Sequence, residues 1–266
     1  MLHVSDPSTG TLSQMNTRFL ALLLFSALVE QAVCKQVPDY IKDLYKKVKE
    51  SECTGGDVLK SGFHDTDGDN GGFMYCQKDT KGKAIYLKGK KGELVNMDVD
   101  CDGGISGKND KRCASSKDTQ DITAFQDQVS RHGLNDLDPT IIPYVVFGNT
   151  GNDKLEFDPT KHGIKPLSVM AVVCNNKLIY GVWGDTNGEE DEPKVGEASI
   201  SLATECFGKT INGDNGHDQK DVLFLAFPGD DAVPGAKANW KAKSYKEFEK
   251  SIESIGDKLV ERFKNE

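Results

Sequence analysis

Two hydrophobic periods alternate along the chain. In residues 38–50 the apolar positions Ile41, Leu44, Tyr45 and Val48 recur at i, i+3, i+4 and i+7, which predicts a helix with Pro38 at its first position. Near the far end Phe248, Ile252, Ile255, Leu259 and Phe263 share one helical face behind a capping box formed by Ser244 and Glu247. Residues 118–132 carry a third helical stripe of Ile122, Phe125 and Val129, with Asp118 or Thr119 as cap and Gly133 as stop. His132, near its end, suits a favourable C-terminal charge better than a catalytic base. Elsewhere the pattern is that of strands: β-branched and aromatic runs at 84–88, 94–99, 144–147, 169–174, 178–183, 199–203 and 222–227. Asn175, Asn176 and Lys177 read as a tight hairpin turn. The pattern predicts a mainly β chain with peripheral α-helices.

Composition and length agree with that picture. A chain of 266 residues can bury a full core in one domain, and its 27 glycines suit a turn-rich β protein. Residues 1–34 read as a leader. Arg18 is a positive n-region, 19–29 an apolar h-region too short to span a bilayer, and Ala32 and Cys34 offer the small residues of a cleavage site before Lys35. Met15 is the more natural start for such a signal. Residues 35–266 then form a single secreted, extracellular domain, with no membrane contact after cleavage.

Cleavage removes Cys34 and leaves Cys53, Cys76, Cys101, Cys113, Cys174 and Cys206, an even set in a secreted chain. The pairing expected is Cys53–Cys76, Cys101–Cys113 and Cys174–Cys206. The first two pairs are close in sequence and bracket glycine-rich turns; the third ties neighbouring strand ends. The net charge of −9 becomes −8 once a leader holding Arg18, Asp6 and Glu30 is gone. An acidic surface disfavours nucleic acid and anionic membranes and concentrates cationic polymers, or only keeps a secreted protein soluble.

Candidate chemistry gathers at 178–206. One strand ends at Gly184 and Asp185; an acidic loop follows; the next strand begins at Gly196 and Glu197. The two glycines allow close approach of backbone and substrate. Two carboxylates at facing strand ends are the minimum equipment for hydrolysing a glycosidic bond, although spacing alone also fits a turn-starting Asp and a surface Glu.

This stretch resembles the fungal endo-chitosanases, glycoside hydrolase family 75. The resemblance is carried by GVWGDTNG (181–188), VGEASISLAT (195–204), HGIKPLSVMAVVCN (162–175), NMDVDCDGG (96–104), PYVVFGN (143–149) and GDNGHDQKDVLFLAFPG (213–229), which span nearly all of the chain after the leader. It implies an enzyme that hydrolyses β-1,4 bonds between glucosamine residues of chitosan with inversion. Asp185 and Glu197 are then the catalytic pair, and neither cofactor nor metal is required. The apolar neighbours Tyr180, Val182 and Trp183 favour Asp185 as acid and Glu197 as base; the negative neighbours of Glu197 leave the reverse open. Trp183 either stacks on a sugar or packs the core, and Asn187 joins the substrate-binding set. The order of motifs from residue 138 to 201 also resembles double-psi β-barrel proteins, among them inverting cellulases. The partner implied is the polysaccharide alone, met by a monomer.

Two Asp-rich runs look like calcium loops. Residues 65–72 lack glycine at the sixth position and have Cys76 in place of the terminal Glu. Residues 98–103 have the glycine, but Asn109 replaces that Glu. For Asp98, Asp100 and Asp102, a calcium site, a turn stapled by Cys101 and an acidic floor for glucosamine ammonium groups compete; the floor is preferred because the run matches the family motif. A non-catalytic carbohydrate-binding or wall-loosening barrel is the alternative function, and it calls for aromatic platforms that a chain with 8% aromatic residues and two Trp supplies sparsely.

Overall fold

In the computed structural model, the residues described are 35–264 apart from 67, 105–109, 115, 117–118, 152–154 and 189–191. The expected leader therefore lies outside the described residues, as do Asp118 and Asn109. The chain begins with α1 (Asp39–Glu50), whose Ile41, Leu44 and Val48 are buried and whose N-cap is Pro38. Strands β1 (Val58–Phe63), β2 (Phe73–Cys76) and β3 (Ile85–Lys88) form an antiparallel flank. Next come β4 (Val95–Asp100), α2 (Gln126–Ser130), β5 (Tyr144–Asn149), β6 (Val169–Cys174) and β7 (Lys177–Asn187). The last elements are β8 (Glu197–Ser199), α3 (Ile200–Phe207), β9 (His217–Ala226) and α4 (Tyr245–Val260).

The strands make one sheet in the order β1-β2-β3-β9-β4-β8-β5-β7-β6, and a further pairing of β9 with β6 closes its last six strands into a ring. The fold is mainly β. Trp183, Tyr144, Tyr180, Phe147 and Phe224 are fully buried. Helix α4 packs on β6 and β7, where a Cβ at Gly256 would stand 2.5 Å from the Tyr180 ring. Ser244 caps this helix by accepting from the Glu247 N–H, as the capping box requires on that side; Glu247 itself accepts from the Lys243 N–H. The β6–β7 hairpin turns through Asn175 and Asn176, both at positive φ (45° and 57°), which is the turn chemistry Asn supports. The three disulfides are Cys53–Cys76, Cys101–Cys113 and Cys174–Cys206, the expected pairing.

Three local expectations give way. The glycine-rich stretch after α1 also contains β1 and β2, which strand periodicity did not reveal. The run 199–203 is helical from Ile200: the Ser199 hydroxyl accepts from the Leu202 N–H and starts α3, which buries Ile200, Leu202 and Ala203. The second predicted helix is reduced to Gln126–Ser130. Its expected first turns are instead an irregular wall, because carboxylates from elsewhere take their N–H groups: Asp102 that of Gln120, Asp136 that of Thr123, Asp185 that of Ala124.

Candidate active site

Strand register decides which side chains meet. In β8 and β5 Glu197 stands opposite Val146, and in β5 and β7 Val146 stands opposite Asp185. One row across three strands therefore holds Glu197, Val146 and Asp185. A bulge makes this row possible. Val145 pairs with Trp183 and Val146 with Asp185, so Gly184 is skipped. Without the skipped residue Asp185 would alternate onto the opposite face. Only glycine fits there, because a Cβ would stand 2.5 Å from Tyr144 Cβ and 2.6 Å from Leu137 Cδ1. Gly196 is similarly required: its φ is +102° and a Cβ would lie 2.4 Å from Asn96 Oδ1. The protein's own side chains fill the space at both glycines. With strands about 4.8 Å apart, the Asp185 and Glu197 backbones stand two steps apart, at most roughly 9.6 Å across a flat sheet and less around the closed ring.

Both carboxylates line a cleft of about 240 Å³ together with Asp100 and Asp102. Its other walls include Ser116, Thr119, Gln120, Ile122, Thr123, Ala124, Thr186 and Asn187. No Lys, Arg or His is among the described residues of the lining. Asp185 is only 6% exposed and accepts from the Ala124 and Thr186 N–H groups, both at 2.8 Å. Burial pushes its carboxyl up to about 7; the two N–H bonds oppose that, and the charges of Asp102 and Asp136 add to it. Asp100 lies deeper. Burial raises it well above the usual carboxylate range, and the charges of Asp185, Asp102 and Glu197 raise it further. Its Oδ1 accepts from the Asp102 N–H at 2.6 Å, and the buried Tyr144 hydroxyl donates to the Asp102 carbonyl at 2.9 Å. One oxygen each from Asp100, Asp102 and Asp185 falls within 4.8 Å of the others, a spacing that suits a cation.

The remaining expected residues separate. Asp98 pairs with Glu197 in the β4–β8 register but does not line the cleft; its Oδ1 stands 2.7 Å from where a Cβ of Gly216 would be. The floor is thus Asp100 and Asp102. Trp183 is 1% exposed, packs edge-on against Phe125 with ring centroids 4.7 Å apart, and donates from Nε1 to the Asp185 carbonyl at 2.8 Å. It packs beneath Asp185 and offers no face to a sugar. Asn187 lines the cleft and donates to the Lys194 carbonyl at 3.0 Å, closing the base of the loop between the two carboxylates. Sequence reasoning missed the 119–124 wall and Asp136, since neither shows a motif. Ile122, expected on a buried helical stripe, is instead 53% exposed at the cleft.

A buried acid and a second carboxylate two strands away, over a floor of further carboxylates, form the kind of site that transfers protons at two ends of a bond, as hydrolases do. Comparison with known proteins agrees. Residues 97–262 match the family described as fungal chitosanase of glycosyl hydrolase group 75. The chain is 49% identical over 243 residues to an endo-chitosanase of Aspergillus fumigatus, covering 91% of this chain and 97% of the relative. It is 46% identical over 245 residues to endo-chitosanase B of Aspergillus oryzae (strain ATCC 42149 / RIB 40), with the same coverage of 91% and 97%. A third relative, an endo-chitosanase of Aspergillus oryzae, is 45% identical over 242 residues, 88% of this chain and 94% of the relative. The chain belongs to glycosyl hydrolase group 75 and is a glycoside hydrolase.

Proposed function

We propose that this chain is a secreted, monomeric endo-chitosanase that cleaves β-1,4 bonds between glucosamine units with inversion. Asp185 is the general acid and Glu197 the base that activates water. The observation that carries this reading is the row Glu197–Val146–Asp185. Placement two strands apart, rather than on neighbouring strands, supports carboxyl groups set wide enough for a water, roughly the 6.5–9.5 Å of inverting enzymes, over the roughly 5–5.5 Å of retaining ones. Burial of Asp185 keeps a proton on it near neutrality, which an acid needs. Chitosan carries few N-acetyl groups to act as internal nucleophile, so both carboxylates must come from the protein. Asp100 and Asp102, in a lining without a described basic residue, supply the acidic floor that receives the substrate's ammonium groups.

The closed ring of six strands supports a double-psi β-barrel, and the leader pattern at 1–34 supports secretion of residues 35–266 as one domain. No helix among the described residues is long and apolar enough to cross a membrane. A non-catalytic binding module is disfavoured because none of the described aromatic side chains is exposed as a platform. The test is a reducing-sugar assay on chitosan with the wild type, Asp185→Asn and Glu197→Gln, and proton NMR of the first product. Release of the α-anomer with both variants inactive is the expected result. A β-anomer would make one carboxylate a nucleophile, and full turnover by either variant would remove that residue from the pair.

A further inference from the structure

The 119–124 wall is pinned at two points. The Gln120 N–H donates to Asp102 Oδ1, and the Ala124 N–H donates to Asp185 Oδ1 at 2.8 Å. Thr123 is fixed from behind by Asp136, through its N–H at 2.9 Å and its hydroxyl at 2.6 Å. Ile122 sits midway between the two pinned residues. It is 53% exposed, the exposed large apolar side chain among the described residues, and it borders the cleft. A lone exposed apolar residue usually needs no explanation. Here the backbone two residues to either side of it is held by two carboxylates that line the cleft, so its place at the cleft is fixed by the site.

A glucosamine ring presents two kinds of surface. Its ammonium and hydroxyl groups suit the carboxylates and the Thr, Gln and Asn side chains of the walls. Its C–H faces require an apolar partner, a role that aromatic rings commonly fill in sugar sites, and here the described aromatic residues are buried or half-buried. We propose that Ile122 is a substrate-binding residue of the cleft, packing its side chain against the apolar face of a pyranose ring while Asp102 holds an ammonium group. This rests on chitosan being the substrate. Because the contact forms on binding and persists through bond cleavage, it acts on KM and leaves kcat unchanged.

The experiment compares the full mature protein with Ile122→Ser and Ile122→Leu, measuring kcat, KM for chitosan and melting temperature at low and high salt. Binding of a glucosamine hexamer is followed by calorimetry in a Glu197→Gln background. Ile122→Ser is expected to raise KM and the hexamer Kd about fivefold, a loss of roughly 1 kcal/mol, with kcat within about twofold and no dependence on salt, since apolar contact is not screened. Ile122→Leu is expected to restore both. An unchanged KM and Kd overturns the proposal. So does a rise that salt abolishes, or a fall in kcat and melting temperature together that Leu does not rescue. Failure of the catalytic reading looks different: Glu197→Gln would turn over chitosan normally, whatever Ile122→Ser does to KM.

Discussion

Two buried carboxyl groups in this protein are both pushed above the ordinary carboxylate range, in different surroundings. Asp185 and Asp65 are 6% and 0% exposed, and burial pushes each up to about 7. Asp185 is satisfied by two backbone N–H groups and faces a cleft without a described basic residue. Asp65, in the turn after β1, has no hydrogen bond to either oxygen and lies 3.4 Å from the Lys220 ammonium. Its neighbour Asp69 is pushed up by burial, but hydrogen bonds from the Asp65 and Gly71 N–H groups and from His64 oppose this and hold it low; Asp69 contacts the His64 ring at 2.8 Å. Through the His64 backbone, which bonds Pro193 and Val195, this turn braces the segment that leads into Glu197. A raised pKa therefore does not identify a catalytic acid. What favours Asp185 for that role is access to a cleft that a second carboxylate, Glu197, also lines.

The largest expected effect tests that distinction. Asp185→Asn and Glu197→Gln should each lower kcat by roughly 10²–10⁴-fold, the usual size of a general acid–base contribution. Asp65→Asn should stay within about threefold, because no substrate reaches it. Equal losses in all three would break the comparison and make Asp65 part of the chemistry.

The pH profile comes next. Since the acid must carry its proton, kcat/KM should fall about tenfold per pH unit above pH 7. Asp65→Asn should leave that limb in place. A limb that moves in Asp65→Asn would mean that the β1–β2 turn controls the proton on Asp185.

Within the floor, Asp102→Asn should raise KM for chitosan severalfold, by an amount that shrinks as salt screens the ammonium contact. Asp98→Asn should change KM by less than about twofold, since it does not line the cleft. A chelator-sensitive melting temperature in the wild type, with KM unchanged in Asp102→Asn, would assign the floor to a metal instead.

Stability gives the smallest effect. Unfolded Asp185 ionises near the ordinary value of 3.8 and folded Asp185 near about 7, so the unfolded chain loses its proton first and stability falls as pH rises between these values. Asp185→Asn removes that loss and should melt a few degrees higher than wild type at pH 8, with the gap closing by pH 4. Asp65→Asn should gain less at pH 8, because Lys220 loses the carboxylate beside it. Calorimetry at the two pH values checks both.

Much of this was readable along the chain. Periods of 3.6 and 2 located the first and last helices and most strands of the ring, the double asparagine marked its hairpin, and the cysteine pairing expected from two short spacings and one pair of neighbouring strand ends matches the disulfides found. The resemblance also singled out Asp185 and Glu197 by motif. Local rules failed where distant groups compete for the backbone. Residues 119–124 have a helical stripe, yet three carboxylates from other parts of the chain bind their N–H groups and turn the would-be helix into a wall of the cleft. Sequence by itself determined which residue types were present for acid–base work and which segments would pair or coil, because those depend on neighbours within a few positions. Only the tertiary structure decided that the bulge at Gly184 turns Asp185 towards Glu197, that Trp183 lies beneath Asp185, and that Asp100 and Asp102 reach the cleft while Asp98 does not. Strand register and burial are set by contacts between residues far apart in the chain, and a single skipped residue reverses the face on which a side chain acts.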